Sequence, residues 1–192
     1  IFQMMHNKKY SVVAIGNAML DLVCEVPEKF LEEEGISKGA MNLVSMERSN
    51  NILKIVKPIK EIAGGSAANT ISTLAKLGLK TGYIGKIADD PKGNVFKKDL
   101  IESSIFYNTE FLEKSNTEAT GKCIVLITPD KERTMNTYLG ATEFLTENDI
   151  DEELIAHSEW LYLEGYRFDG RKSKEAFYLS LIHISEPTRQ LC

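Results

Sequence analysis

The chain has 192 residues, 43% of them hydrophobic and 27% charged, with a formal net charge of −5 at pH 7. No apolar run is long enough to span a bilayer, and the mildly acidic balance argues against broad nucleic-acid binding, which needs a basic face. With no signal peptide visible, this composition fits a soluble enzyme of a reducing cytoplasm.

The chain opens on Ile1-Phe2-Gln3, with Met4 and Met5 as the natural starts, and residues 1–9 are expected to be disordered. Tyr10 to Ile15 is a short run rich in β-branched residues and reads as a buried strand. It is followed by Gly16-Asn17-Ala18-Met19-Leu20-Asp21, which puts Asn17 and Asp21 at the strand's carboxyl end, where open α/β sheets bind ligands. An ionised Asp accepts hydrogen bonds through both oxygens and suits two neighbouring hydroxyls, although a solvated turn carboxylate has the same sequence. Lys54, Lys57 and Lys60, set among Ile55, Val56 and Glu61, read as a solvated helix face rather than a basic patch.

Gly64-Gly65 runs directly into Ser66-Ala67-Ala68-Asn69 and on to Gly78. Paired glycines admit positive φ and a close ligand, the helix start carries free N–H groups, and Asn69 offers an amide donor and an acceptor. The alternative is a plain Gly-Gly turn before an amphipathic helix whose core face is Ile71, Leu74 and Leu77, capped by Gly78.

Thr81 to Lys86 is expected as a strand and Pro91 to Ser103 as a helix with Pro in its first turn. The pair Asp89-Asp90 has the form of a metal or acid/base pair, but a helix start explains it more simply. Thr120 to Thr128 and Arg133 to Tyr138 form a hairpin around Pro129-Asp130-Lys131-Glu132. With Met19 to Val26 and Ala40 to Ser45 they make either a small separate sheet or part of one core sheet. Thr146-Glu147-Asn148-Asp149 resembles a helix start with Ile150, Leu154 and Ile155 buried, and Trp160 to Gly165 is a further strand ending at Glu164. Strand and helix alternating in this way argue for a parallel sheet covered by helices.

Gly165 to Ser173 has the position of a phosphate-binding loop, but Arg171 stands where the lysine must follow the second glycine, so it reads as a strand-to-helix loop. Cys24 and Cys123 lie singly in strand-like runs and Cys192 lies at the end, a pattern that yields no disulfide framework or zinc spacing and favours small buried thiols. His6 and His157 are far apart in sequence, with no Cys or His nearby, and read as surface or structural residues.

Taken together, Ala14 to Asp21, Gly64 to Gly78 and Gly85-Lys86-Ile87-Ala88-Asp89-Asp90-Pro91-Lys92-Gly93 resemble the amino-terminal half of the ribokinase-like (PfkB) family of sugar and nucleoside kinases. Thr128 to Ala141 and Leu161 to Tyr166 look like its adenosine kinase-like branch. Ile71 and Ala88 depart from the pattern, which calls for a small residue and a glycine; they fit if Ile71 has room on the core face and Ala88 keeps a negative φ.

The resemblance implies an α/β fold: a three-layer sheet with helices on both faces, a small β lid projecting over the substrate, and truncation of the rest. It also implies γ-phosphoryl transfer from ATP, with Mg²⁺ on the phosphates, to a hydroxyl of a sugar or nucleoside. Asp21 and Asn69 would hold ribose hydroxyls, Asn17 would assist, and Gly64-Gly65 would form the hinge on the substrate side. Closure of the lid would exclude water, and its exposed edges could pair with a second copy as a homodimer.

Leu179 to Cys192 resembles an in-frame translation of a transposase adaptor used in sequencing libraries, which leaves 10–178 as the natural kinase portion. No Gly-Ala-Gly-Asp and no Asn-x-x-Glu segment is present, so the family's catalytic base and magnesium-associated motif are missing. The chain as it stands is expected to be inactive. A rival reading is a non-catalytic nucleoside- or sugar-binding fragment, or one that dimerises through the lid.

Overall fold

The structure, a computed structural model, describes residues 8–167 and 171–182. The first seven residues of the expected disordered start, His6, residues 168–170 of the loop after Glu164 and the tail from residue 183 lie outside the described residues.

In chain order the strands are β1 (Tyr10–Ile15), β2 (Met19–Glu25), β3 (Met41–Leu43), β4 (Lys60–Gly64), β5 (Thr81–Ile84), β6 (Ile105–Tyr107), β7 (Gly121–Ile127), β8 (Arg133–Tyr138) and β9 (Ser158–Leu163). The helices are α1 (Glu28–Glu33), α2 (Met46–Ile55), α3 (Ser66–Lys76), α4 (Pro91–Glu102), α5 (Glu152–Ala156) and α6 (Arg171–Ile182). They build two sheets. One has the order β6-β5-β1-β9 with every pairing parallel; the other is mixed, with the order β3-β8-β7-β2-β4.

β1 shows why the parallel sheet is the middle of three layers. Successive side chains of a strand point to opposite faces. Ala14 joins a cluster with Ala67, Ala68 and Ile71 of α3 and with Phe96 and Leu100 of α4. Val13 and Ile15 face the other way, onto Leu154 and Ile155 of α5 and Ala176 and Phe177 of α6. The α3–α4 cluster continues through Leu20, Leu22 and Cys24 of β2 and Ile124 and Leu126 of β7 to Phe30 and Leu31 of α1 and Ile52 of α2, so one core runs beneath both sheets.

Most of the predicted elements are present, and the second sheet is separate from the parallel one. The β7–β8 hairpin turns on Asp130, whose Oδ1 accepts from Thr128 Oγ1 at 2.6 Å and from Glu132 N at 3.2 Å. α3 ends as predicted: Gly78 has φ 88°, Gly78 N donates to Ala75 O at 2.9 Å, and Leu79 N donates to Leu74 O at 3.1 Å. Ile71 is fully buried, and the non-glycine residues with positive φ among those described are Ser104 and Lys131, so Ala88 meets the condition set for it. Cys24 and Cys123 are buried free thiols.

Four expectations are corrected. Leu77 is 74% exposed because it caps α3 instead of facing the core. Of the three lysines read as one helix face, only Lys54 lies in α2, since the helix stops at Ile55 and Lys60 opens β4, an edge strand the hydropathy pattern hides. The helix expected from Thr146 is broken: Thr146 and Asp149 close a capping box on one 3-10 turn, and Asp151 then caps α5 through Leu154 N at 2.8 Å. Asp21 sits inside β2 of the second sheet, not at the carboxyl end of β1.

The chain crosses between the sheets in four places: from β1 to β2 through 16–18, from β4 to α3 at Gly64-Gly65, into β7 at Thr120, and out of β8 through 139–140. All four fall on one edge of the second sheet. Gly64 is opposite Met19, Met19 is opposite Gly121, and Tyr138 is opposite Lys122.

Candidate substrate site at the junction of the two sheets

Asp21 occupies the central strand of three, with Ile62 of β4 on one side and Cys123 of β7 on the other. The alternation of β2 sends Leu20, Leu22 and Cys24 into the core and leaves Asp21 and Val23 half-buried on the opposite face. The Asp21 carboxyl lies over the backbone of Gly64. A Cβ there would come to 2.2 Å from both Cγ and Oδ1 and to 2.5 Å from Oδ2, so glycine is what lets the acid occupy that space. Burial pushes its pKa up from 3.8 to about 6, while the Arg133 guanidinium pulls the other way. The Asp21 carboxyl makes no hydrogen bond or ion pair with another described residue, which leaves its acceptor capacity unused within the chain.

Gly65 follows with φ 95°, where a Cβ would meet Asn17 O at 2.3 Å. This close approach joins the two glycines to the β1–β2 connection. Asn17 itself is buried: its N–H donates to Glu164 Oε2 at 3.1 Å, and its Oδ1 accepts from Thr142 Oγ1 at 3.1 Å. The N–H of Ala67, in the first turn of α3, donates to the same Glu164 oxygen at 3.3 Å. One of the helix-start donors that the sequence offered to a ligand is therefore turned inward, onto a carboxylate that stabilises the positive end of the helix.

Asn69 is exposed one turn into α3, its N–H bonded to Gly65 O at 2.9 Å and its carbonyl taken by Thr73 Oγ1 at 2.9 Å. The structure thus joins Asn17, Asp21, Gly64 and Gly65 through two direct contacts, Asp21 on Gly64 and Asn17 on Gly65. Asn69 stands on the adjoining helix, its side chain without a hydrogen bond to the other four.

Sequence reasoning gave Thr142 and Arg133 no role at the site and placed Glu164 only at the end of a strand. Thr142 stands 125 residues from Asn17 and Glu164 stands 147, so no local pattern could join them.

Asp90, read as a helix start, caps α4 through Gly93 N at 2.7 Å, and Asp89 is exposed. A cavity of about 510 Å³ lies elsewhere, lined by Lys86, Leu112, Asn116, Phe144 and Asp149 among others, and contains none of the five candidate residues. Its Lys86–Asp149 ion pair is largely buried. Among the described residues no three His, Cys, Asp or Glu side chains come together to hold a metal ion.

The profile of the pfkB family carbohydrate kinases matches residues 9–186, and the chain belongs to that family. The 5-dehydro-2-deoxygluconokinase of Geobacillus kaustophilus (strain HTA426) is 32% identical over 139 residues, which cover 68% of this chain and 41% of that protein. A probable sugar kinase from Rhizobium etli CFN 42 superposes with a TM-score of 0.84 at 33% identity, over 93% of this chain and 55% of that one. The adenosine kinase from Sinorhizobium meliloti gives 0.82 at 37% identity, over 91% and 54%. The chain spans about half the length of the relatives it matches. No helix among the described residues is long and apolar enough to cross a membrane.

Proposed function

We propose that this chain is the substrate-gripping part of a cytoplasmic, ATP-dependent kinase that phosphorylates a hydroxyl of a sugar or nucleoside. The observation that carries the reading is the Asp21 carboxyl, without a side-chain partner and held over Gly64, next to the positive-φ Gly65. Asp21 accepts hydrogen bonds from two neighbouring hydroxyls, Asn69 adds an amide from α3, and Asn17 fixes the backbone beneath them. The glycine pair lets the second sheet approach the ligand and keep water from the acceptor.

ATP and Mg²⁺ belong to the full-length enzyme. When bound, they supply the phosphoryl group and neutralise its charge. This chain carries neither Gly-Ala-Gly-Asp nor Asn-x-x-Glu, so on this reading it binds substrate without turning it over. The chain's relatives include both a 5-dehydro-2-deoxygluconokinase and an adenosine kinase, and the proposed site would take hydroxylated substrates of either kind.

Titration calorimetry with adenosine and with 5-dehydro-2-deoxygluconate tests it. Asp21→Ala should cost about 1.5 to 3 kcal/mol of binding to the substrate that binds. Unchanged affinity in that variant removes Asp21 from the site, and Asp21-dependent phosphorylation by the 192-residue chain refutes its inactivity.

A second reading, pairing of two copies through the second sheet, is favoured by Met41 and Leu43 on edge strand β3, which are 49% and 64% exposed. Sedimentation at several concentrations distinguishes a dimer from a monomer.

A further inference from the structure

The segment Gly85 to Gly93 takes no part in the site described above, yet its last acidic residue reaches well beyond its own helix. Asp90 Oδ1 accepts from Gly93 N at 2.7 Å, which is the cap of α4. The same oxygen accepts from Thr120 Oγ1 at 2.8 Å, and Oδ2 accepts from Thr120 N at 2.8 Å. Thr120 Oγ1 in turn accepts from Ala88 N at 3.0 Å. Thr120 is fully buried and immediately precedes β7. A Cβ on Gly93 would lie 2.1 Å from Ala88 O and 2.8 Å from Thr120 Oγ1, so this packing requires glycine there.

A helix cap needs one acceptor, and a solvent-facing one is enough. Asp90 spends both oxygens on the residue where the chain enters the second sheet. Farther along α4, Asp99 Oδ2 accepts from Ala63 N at 2.9 Å, beside Gly64 at the end of β4. The helix therefore holds β7 at one end and β4 at the other, and β2, which carries Asp21, lies between them.

We propose that Asp90 is a positioning residue: through Thr120 it pins the entry of β7 to α4 and thereby fixes where β2 presents Asp21 to the ligand. Asp90 touches no substrate in this assignment. The ligand half of the test rests on the function proposed above; the exchange half does not.

Three variants of the 192-residue chain separate the pin from the cap. Thr120→Val removes the hydroxyl and leaves Asp90 able to cap. Thr120→Ser restores it. Asp90→Asn keeps an oxygen for Gly93 but turns an N–H₂ toward the Thr120 amide, and it reads the same contact if the valine variant does not fold. Amide hydrogen exchange resolved by segment is the first measurement. Thr120→Val and Asp90→Asn should speed exchange in β2 and β7 by about tenfold or more, the effect of losing a hydrogen bond to a charged acceptor, while α4, β1 and β5 stay protected and Thr120→Ser matches the parent. Exchange unchanged in β2 and β7, or accelerated equally in both sheets, overturns the proposal.

Adenosine and 5-dehydro-2-deoxygluconate are then titrated into the same proteins. Whichever binds should lose about tenfold in affinity in Thr120→Val and recover it in Thr120→Ser; unaltered affinity in a variant with accelerated exchange overturns the link to Asp21. If neither ligand binds the parent chain, the proposed function fails while the exchange result still decides the pin.

Discussion

The carboxyl group of Asp21 fills the space that a side chain on Gly64 would need, with Cγ and Oδ1 each 2.2 Å from an ideal Cβ there. Gly64 pairs with Met19, two residues before Asp21 on β2, and the acid leans along its strand to cover it. Gly64→Ala should therefore displace the carboxylate without unfolding the sheet, since the Gly64 backbone is not in the positive-φ region. We expect an affinity loss approaching that of Asp21→Ala, about 1.5 to 3 kcal/mol, with an unchanged far-ultraviolet circular dichroism spectrum.

Asp21 also predicts a pH dependence. Its folded pKa of about 6 lies above its ordinary 3.8, so the folded chain binds a proton more tightly than the unfolded one and stability falls as pH rises between those values. Substrate hydroxyls need the ionised form, so affinity should move the opposite way and rise as pH passes through about 6. Titration calorimetry from pH 5 to pH 8 measures the slope, which Asp21→Asn should flatten. Arg133→Gln should shift its midpoint upward, because that guanidinium favours the charged carboxylate.

Glu164 is buried and accepts from the N–H groups of Asn17 and Ala67. Glu164→Ala strands both donors away from water. Urea unfolding should show a loss of about 2 to 4 kcal/mol, and Glu164→Gln, which keeps an acceptor oxygen, should lose less.

The Lys86–Asp149 pair has side-chain exposures of 10% and 7%. Asp149 also accepts from Thr146 N at 2.9 Å, so the pair anchors the 3-10 turn before α5. Removing one partner should destabilise the fold by about 3 to 5 kcal/mol, because it leaves the other charge buried alone. Replacing both by apolar residues, as Lys86→Met with Asp149→Leu, should recover most of the loss in thermal unfolding.

What the sequence revealed and what it hid divide by range. β1, the β7–β8 hairpin, α3 with its Gly78 cap and the Asp90 cap were legible because each is written in one short stretch of chain, in hydropathy period or turn chemistry. β4 was not: Lys60 and Glu61 are exposed, and the strand exists because β2 offers its edge. Nor was the late start of α5, which depends on Asp149 being held by Lys86 from 63 residues away. At the site, the glycine pair and both Asn17 and Asp21 could be singled out from local pattern and family resemblance. Glu164, Thr142 and Thr120 accept from the backbone N–H groups of Asn17, Ala18 and Ala88, and only the folded chain brings them there.

The four crossings between the sheets lie on a single row, from Gly64 through Met19 to Gly121 and on to the end of β8. A plate whose chain connections fall along one line swings about that line more easily than it slides or twists, here against the shared core and the α4 contacts beneath it. Swinging carries the far ends of the strands through the widest arc and leaves the row nearly still. Asp21 is only two residues from the row, so any such swing would move it far less than the hairpin tip at Asp130, and a ligand held there as proposed would be little disturbed.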